Sequence, residues 1–292
     1  MKTAIVTGAT GFLGTALVRE LVKNGLQVYA LCRRGSHRIS RLKCFENVKI
    51  IELDFTALND VQGISGDIFY HLAWEGGRND FKEQYKNIAM SIDSVNLSYR
   101  LGCKRFVGFG SQAEYGSTTE FITEETPLKP STSYGACKVA TYYLTTDLTH
   151  RLEMEFVWAR VFSVYGANDN TNSLFPQMLE AFQSKGEFYL MTDGSHIWNY
   201  LHEKDVARAL HLLGNCESAH GVYNVASRES KSLKHYVEEF SRTVSPTSIV
   251  QYGNVKHDVQ MQVSTEKLRK CIGEFEEISF YKGEGNETAN KE

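Results

Sequence analysis

Short apolar runs alternate with helical patterns through the first half of the chain. Four of these runs predict buried strands, at 26–32, 48–53, 67–73 and 105–110. Apolar spacing predicts long helices over 81–101 and 134–152, and residues 155–162 predict another strand. Strands that alternate with helices indicate a parallel sheet covered by helices on both faces. The pattern therefore predicts an α/β fold with a doubly wound parallel sheet.

The alternation loosens after residue 166. Three elements stand out there, a polar loop, a helix and a late strand, at 168–172, 174–183 and 221–226. The late strand is expected to return to the first sheet. We therefore divide the chain into a region 1–165 with the main sheet and a smaller region 166–292, without a clean cut between them. Residues 283–292 are polar and are expected to fray.

A glycine-rich turn joins the first predicted strand, residues 2–6, to a helical pattern that starts at Thr15. The turn holds the residues expected at a cofactor, which are Gly8, Thr10, Gly11, Phe12, Leu13 and Gly14. Glycines let the backbone bend tightly and bring a pyrophosphate to the helix N-terminus, where unpaired N–H groups favour negative charge. The G-x-x-G-x-x-G spacing differs from the usual G-x-G-x-x-G motif. We predict a dinucleotide site, the alternative being a purely structural turn.

Two arginines, Arg33 and Arg34, end the second predicted strand. An acidic residue at this point would bind the ribose 2′-hydroxyl of NAD, whereas arginine suits the 2′-phosphate of NADP. A guanidinium pairs well with phosphate because it is planar and permanently charged. The sequence therefore favours NADP(H). NAD(H) is the alternative, with both arginines solvated in a surface loop.

Tyr134 and Lys138 are four residues apart at the head of a predicted helix, so they share one face. A nearby ammonium, together with an oxidised nicotinamide, favours the phenolate and brings a proton with a reference pKa near ~10 closer to neutral pH. The same spacing recurs in two pairs that are not predicted to be helical, Tyr200/Lys204 and Tyr252/Lys256. Ser111 follows a predicted strand and can reach the same pocket. We predict a catalytic site of Ser111, Tyr134 and Lys138, against an ordinary helix pair.

Composition agrees with a globular enzyme. The 292 residues are 42% hydrophobic and 23% charged, enough for a large core. The net charge of −3 gives no indication of nucleic-acid or anionic-membrane partners. The six cysteines form no CxxC pair, which predicts free thiols in a reducing cytosol and no metal site. Glycines interrupt the apolar N-terminus and no apolar run has membrane-spanning length, so we expect a cytoplasmic protein.

As a set, the motifs resemble the extended short-chain dehydrogenases/reductases, in the sugar-nucleotide epimerase/dehydratase group. The shared positions run over nearly the whole chain: 7–14, Asp54, 71–73, Asn87, 110–116, Tyr134, Lys138 and 162–166. The resemblance implies a Rossmann-type sheet in 1–165 that binds NADP and a C-terminal lobe in 166–292 that mainly binds substrate. It also implies a homodimer joined by the two long helices.

The resemblance also implies roles for individual residues. Tyr134 would be the acid/base, Lys138 would hold the nicotinamide ribose and tune Tyr134, and Ser111 would hydrogen-bond the reacting oxygen. Further cofactor contacts are implied for Asp54, Phe55, Leu72, Ala73 and Phe162.

Departures from the family pattern reduce the number of reactions that the resemblance allows. Gln112 and Ala113 stand where 4,6-dehydratases have an acidic pair and where sugar-acid decarboxylases have a glutamate, and Glu114 is one position too late. Epimerases and ketoreductases remain. Because a reductase consumes its cofactor, NADP favours reduction of the 4-keto group of a CDP- or dTDP-linked 6-deoxysugar. The alternatives are an NAD-dependent 4-epimerase and a non-catalytic NADP-binding sensor.

Substrate contacts are predicted at seven positions, Trp74, Glu75, Gln112, Asn172, Ser173, Trp198 and Lys256. Trp74 and Glu75 lie in a loop at the sheet edge where ligands bind, although such a loop is also polar when it is merely exposed. Alignment to the family places Ser173 rather than Asn172 at a phosphate-binding asparagine. Trp198 replaces a frequent arginine, and Lys256 is either its substitute or a solvated lysine.

Overall fold

The computed structural model describes residues 1–280, so the fraying predicted for 283–292 lies outside the described residues. The strands in this part of the chain are β1 (Thr3–Thr7), β2 (Gln27–Arg33), β3 (Val48–Leu53), β4 (Ile68–His71), β5 (Arg105–Ser111), β6 (Glu155–Val161), β7 (Ser163–Tyr165), β8 (Glu187–Thr192), β9 (Ile197–Trp198), β10 (Tyr200–His202), β11 (Gly221–Val225), β12 (Lys231–Ser232) and β13 (Ile249–Val255). The helices are α1 (Phe12–Lys23), α2 (Phe81–Gln84), α3 (Lys86–Arg100), α4 (Ser133–Arg151), α5 (Leu174–Lys185), α6 (Glu203–Asn215), α7 (Leu233–Val244) and α8 (Glu266–Ile272).

Seven parallel strands form the central sheet in the order β11-β6-β5-β4-β1-β2-β3. The chain winds outward from β1 through β2 and β3, and in the other direction from β4 through β5 and β6. This confirms the predicted doubly wound sheet. Its switch point lies between β1 and β4, where the carboxyl ends of the strands open a crevice for ligands.

Strands of this sheet read as apolar runs because helices cover both of its faces. Ala4 and Val6 of β1 belong to a core cluster that includes Leu17 of α1, whereas Ile5 points to the other side and packs in a cluster with Val95 of α3. All three β1 residues are fully buried. Within residues 1–280, no helix is both long and apolar enough to cross a membrane.

The single helix predicted over 81–101 is wrong, because the structure has two helices separated at Tyr85. The Asn87 side chain donates to the Glu83 and Gln84 carbonyls. Ile88 N–H then donates to the Tyr85 carbonyl, three residues back rather than four. An amide side chain that competes for helix carbonyls explains the break.

The smaller part of the fold is built on its own aromatic core. Tyr165, Phe175, Tyr236, Phe240 and Phe280 form a buried cluster beneath the parallel pair β8 and β13. From this part the chain returns through β11, which pairs with β6 in the central sheet. The division after residue 165 stays a prediction.

Candidate active site

The glycine-rich turn follows β1 directly and leads into α1. Gly8 has a φ of +68°, and a Cβ there would lie 2.7 Å from the Ala73 backbone nitrogen. A Cβ on Gly14 would lie 2.0 Å from the Gly8 carbonyl oxygen. Only glycine fits these two positions. Gly11 caps α1 without a side chain, and the first turn of the helix contains no acidic residue. The helix N-terminus therefore suits an anion.

Most of the predicted cofactor residues meet in two adjoining cavities at this end of the sheet. The first is about 450 Å³ and the second about 500 Å³. The predicted residues that line one or both are Gly8, Thr10, Gly11, Arg33, Arg34, Asp54, Phe55, Leu72 and Ala73. Residues far apart in the sequence thus border one continuous region, which runs from the glycine turn to the ends of β2 and β3.

Charged side chains line these cavities. Arg33 forms an ion pair with Glu75, and Glu75 lines both cavities. Among residues 1–280, Glu75 does not belong to the lining of the separate cavity at Tyr134. Asp54 accepts hydrogen bonds from the Thr56 backbone and hydroxyl at 3.0 and 2.9 Å. These bonds, with smaller effects of Arg33 and Arg34, lower the pKa of Asp54. The structure therefore groups Glu75 with the arginines rather than with the predicted sugar contacts.

A separate cavity of about 360 Å³ brings Ser111 and Tyr134 together. Ser111 is the last residue of β5, and Tyr134 lies in the first turn of α4, which Thr132 caps by accepting from Gly135 N–H at 3.1 Å. The Tyr134 N–H donates to the Arg78 carbonyl at 3.0 Å. Phe12 and Leu13 of α1 line the same cavity. The wall of this cavity thus begins where the glycine turn ends.

The pKa of Tyr134 is raised. Burial is the main cause, and it outweighs the hydrogen bond with Ser111 and the charge of Arg78, which both lower the pKa. The lowered pKa that we expect from the Lys138 ammonium together with an oxidised nicotinamide stays a prediction. The phenol keeps its proton at neutral pH, as a proton donor must.

Lys138 is buried beside Tyr134. Its ammonium donates to the Phe109 carbonyl at 2.6 Å and lies 3.5 Å from the centre of the Trp74 ring. Burial lowers the pKa of Lys138 to about 7, although the Glu114 carboxylate opposes this shift. The Trp74 ring also meets the Tyr134 ring edge to face at 5.8 Å. Trp74 therefore contacts both residues of the predicted catalytic pair.

A buried ion pair between Glu114 and Arg160 contacts Ser111, and the sequence did not predict it. Glu114 accepts from the Ser111 N–H at 2.8 Å and from Arg160 Nε at 2.7 Å. Burial lowers the pKa of Arg160, but Glu114 and Tyr115 outweigh it, so the pKa is raised overall. The sequence signal was the S-x-x-E spacing of a capping box, which Ser111 and Glu114 form around the short 3₁₀ helix Gln112–Glu114.

The remaining predicted substrate contacts separate into two groups. Gln112 and Ser173 line the cavity at Tyr134, and Trp198 is hydrogen-bonded to Ser163 of its wall. Asn172 and Lys256 are exposed and do not line that cavity in the described part of the chain. His202 caps α6 by accepting from the Lys204 N–H at 3.1 Å.

In each of the other two tyrosine–lysine pairs, the tyrosine lies on a strand and not on a helix. Tyr200 is on β10 and Tyr252 is on β13, so neither shares a helix face with the lysine four residues later. Gly253 lies within β13, which continues to Val255 with an irregular pairing after Tyr252. Glycine is common at such an irregularity because it suits a bulged strand.

The fold and the site together define a Rossmann-type protein of the short-chain dehydrogenase/reductase class. More narrowly, the chain belongs to the NAD dependent epimerase/dehydratase family, whose model matches residues 4–226. This confirms the resemblance drawn from the motifs.

Individual proteins show the same relationship. The chain is 27% identical to a dTDP-6-deoxy-L-talose 4-dehydrogenase (NAD(+)) of Aggregatibacter actinomycetemcomitans, over 81% of this chain and 88% of that protein. It is also 27% identical to a dTDP-4-dehydro-6-deoxy-D-allose reductase of Streptomyces bikiniensis, over 80% of this chain and 78% of the relative. Among solved structures, the UDP-N-acetylglucosamine 4-epimerase of Methanobrevibacter ruminantium M1 in complex with UDP-N-acetylmuramic acid superimposes with a TM-score of 0.83, at 22% identity, covering 95% and 93% of the two chains.

Proposed function

We propose that the protein reduces the 4-keto group of a CDP- or dTDP-linked 6-deoxysugar with NADPH. The observation that carries this proposal is the single cavity that Ser111 and Tyr134 share with the start of α1. A proton donor and a hydroxyl for the reacting oxygen thus lie next to the predicted cofactor turn. The curated reductase and dehydrogenase relatives, both named for dTDP-linked 6-deoxysugars, support the substrate class.

The residues present fit a dinucleotide. Gly11 leaves the N-terminus of α1 open toward a cavity of about 450 Å³, which suits a pyrophosphate. Arg33 and Arg34 border that cavity and would hold a ribose 2′-phosphate. Bound there, the cofactor supplies the hydride. The chain's own residues supply the proton and hold the reacting oxygen.

Tyr134 and Ser111 would act on the developing alkoxide. The raised pKa of Tyr134 keeps its proton on the phenol until the alkoxide oxygen needs it. The Ser111 hydroxyl is held in place by the capping box and donates to the same oxygen, where charge develops in the transition state. Lys138, fixed by the Phe109 carbonyl, places a buried cation beside the pair.

One observation favours the alternative, an NAD-dependent 4-epimerase. The Glu75 carboxylate is paired with Arg33 at the cofactor cavities and could accept a hydrogen bond from a ribose 2′-hydroxyl. Net NADPH oxidation with a panel of CDP-, dTDP-, GDP- and UDP-linked 4-keto-6-deoxysugars decides between them. Formation of a sugar alcohol supports the reductase. Interconversion of 4-hydroxy sugars without net cofactor oxidation supports the epimerase.

Removal of the Arg34 side chain should show whether the enzyme prefers NADPH or NADH. We expect Arg34→Ala to lower kcat/KM for NADPH by about tenfold to a hundredfold, because a charge-assisted hydrogen bond contributes about 1.5–3 kcal/mol. The value for NADH should change by less than about threefold. Steady-state kinetics with both cofactors measures this, and Arg19→Ala on the exposed side of α1 is the matched control. Equal losses with both cofactors would contradict the 2′-phosphate assignment.

We also propose a homodimer through α3 and α4. Tyr99 of α3 and Tyr143 and Leu144 of α4 are exposed large hydrophobic residues on these adjoining helices. A charge buried among them would be unpaired. Leu144→Arg should therefore shift sedimentation velocity from dimer to monomer, whereas Leu179→Arg on α5 should leave it unchanged. A monomeric wild-type protein would contradict this proposal.

A further inference from the structure

Three side chains form a hydrogen-bonded group on one wall of the cavity at Tyr134. Gln112 Nε2 donates to Ser163 Oγ at 3.3 Å, and Trp198 Nε1 donates to the same oxygen at 2.8 Å. Gln112 is only 7% exposed, and both Gln112 and Ser163 line the cavity. We call this group the Gln112–Ser163–Trp198 triad.

The hydrogen-bonding capacity of the triad is only partly used. An indole N–H can only donate, so Ser163 Oγ accepts from Trp198 and also from Gln112. A serine hydroxyl has two acceptor lone pairs and one proton, so the proton is left available to donate. Gln112 Oε1 is buried and has no hydrogen-bond donor within reach among residues 1–280. An orphaned acceptor of this kind is destabilising unless a ligand donates to it.

We propose that the triad binds one hydroxyl group of the substrate's sugar ring, beside the reacting carbonyl, and makes that hydroxyl a requirement for binding. A hydroxyl can donate to Gln112 Oε1 and accept from the Ser163 hydroxyl at once, whereas a keto oxygen or a deoxy carbon cannot do both. Gln112 directly follows Ser111, so the bound hydroxyl lies next to the carbon whose oxygen Ser111 holds. This inference rests on the proposed function, because it takes the substrate to be a nucleotide-linked sugar.

Trp198 has a positioning role in this arrangement. Its indole fixes the Ser163 oxygen, to which Gln112 Nε2 also donates. The Gln112 side chain is thereby held in the cavity wall with Oε1 left unpartnered. A site built in this way rejects an analogue without the hydroxyl, because its buried polar groups would stay unpaired. The triad would thus decide which sugars are accepted, while Ser111 and Tyr134 perform the reaction.

The test uses the nucleotide-linked 4-keto-6-deoxysugar that reacts fastest in the panel, its alcohol product, and matched analogues that lack the hydroxyl at C2 or at C3. Because C3 is the hydroxyl-bearing carbon next to C4, we expect wild-type kcat/KM, and product affinity by calorimetry, to fall about tenfold to a hundredfold for the C3 analogue. Gln112→Leu and Ser163→Ala should bring parent and analogue within about threefold of each other. Gln251→Leu, on exposed β13, should keep the wild-type discrimination.

A second readout separates ligand binding from a structural role. Because Gln112 Oε1 has no donor in the described structure, Gln112→Leu should leave the melting temperature of the ligand-free protein unchanged or raise it. A lower melting temperature would mean that the amide serves the fold, and would overturn the proposal.

The outcomes distinguish the two proposals. Turnover of the 4-keto sugar without discrimination against the C3 analogue overturns the role of the triad and leaves the reductase standing. Discrimination in product binding without turnover supports the triad and overturns the reductase. Failure of every nucleotide-linked sugar to bind overturns both.

Discussion

Tyr134→Phe should lower kcat for reduction by about 10²–10⁴-fold, the range that a positioned general acid contributes. The substitution removes only the phenolic oxygen. The ring keeps its edge-to-face contact with Trp74 at 5.8 Å and its place 5.6 Å from the Arg78 guanidinium. We therefore expect KM for the sugar nucleotide to change by less than about threefold, because the lost interaction belongs to the transition state.

Single-turnover NADPH oxidation with the best substrate of the panel measures this loss. Tyr189→Phe is the matched control, since Tyr189 is 60% exposed on β8. Unchanged turnover in Tyr134→Phe would remove Tyr134 from catalysis. A large rise in KM at constant kcat would instead make it a binding residue.

Local patterns made the sheet predictable. Its strands are apolar on both faces, so each is a short continuous run, and the turn after β1 carries glycines that the close approach of Gly8 to Ala73 demands. The proximity of Tyr134 and Lys138 was also predictable from a local pattern, because both residues lie on one helix at a spacing that puts them on the same face.

Contacts between segments that are far apart in the sequence could not be predicted from it. Glu114 and Arg160 meet because β5 and β6 are neighbours, with Gly110 opposite Arg160 in their register. The pairing of Arg33 with Glu75 likewise depends on β2 and β4 both flanking β1. Sheet order decides such contacts, and one sequence does not specify it residue by residue.

The sequence also did not predict the direction in which the pKa of Tyr134 shifts, because that direction depends on how deeply the fold buries the phenol. The sequence shows which charges accompany the phenol, and a nearby ammonium predicts a lowered pKa. It does not show that the fold buries the phenol, and burial is the dominant effect. The raised pKa suits a donor in the reductive direction, which the charge pattern alone did not indicate.

Glu114→Ala should lower the free energy of unfolding by about 3–5 kcal/mol, the usual cost of removing one partner from a buried ion pair. The side chains of Glu114 and Arg160 are 0% and 2% exposed, so the guanidinium would be left uncompensated in the core. Ser111 N–H and Trp158 Nε1 would also lose their acceptor. Urea unfolding followed by circular dichroism measures this effect.

Replacing both charges at once should be less harmful than removing Glu114 alone. In Glu114→Leu/Arg160→Met the unpaired guanidinium is removed from the core, so we expect at least about 1–2 kcal/mol of the lost stability to return. Catalysis should not return with it, because the Ser111 N–H still lacks the carboxylate that closes the capping box. Recovered stability together with low kcat would show that Glu114 positions Ser111. Recovery of both would show that the ion pair serves the fold alone, and a loss below about 1 kcal/mol in Glu114→Ala would contradict the ion pair itself.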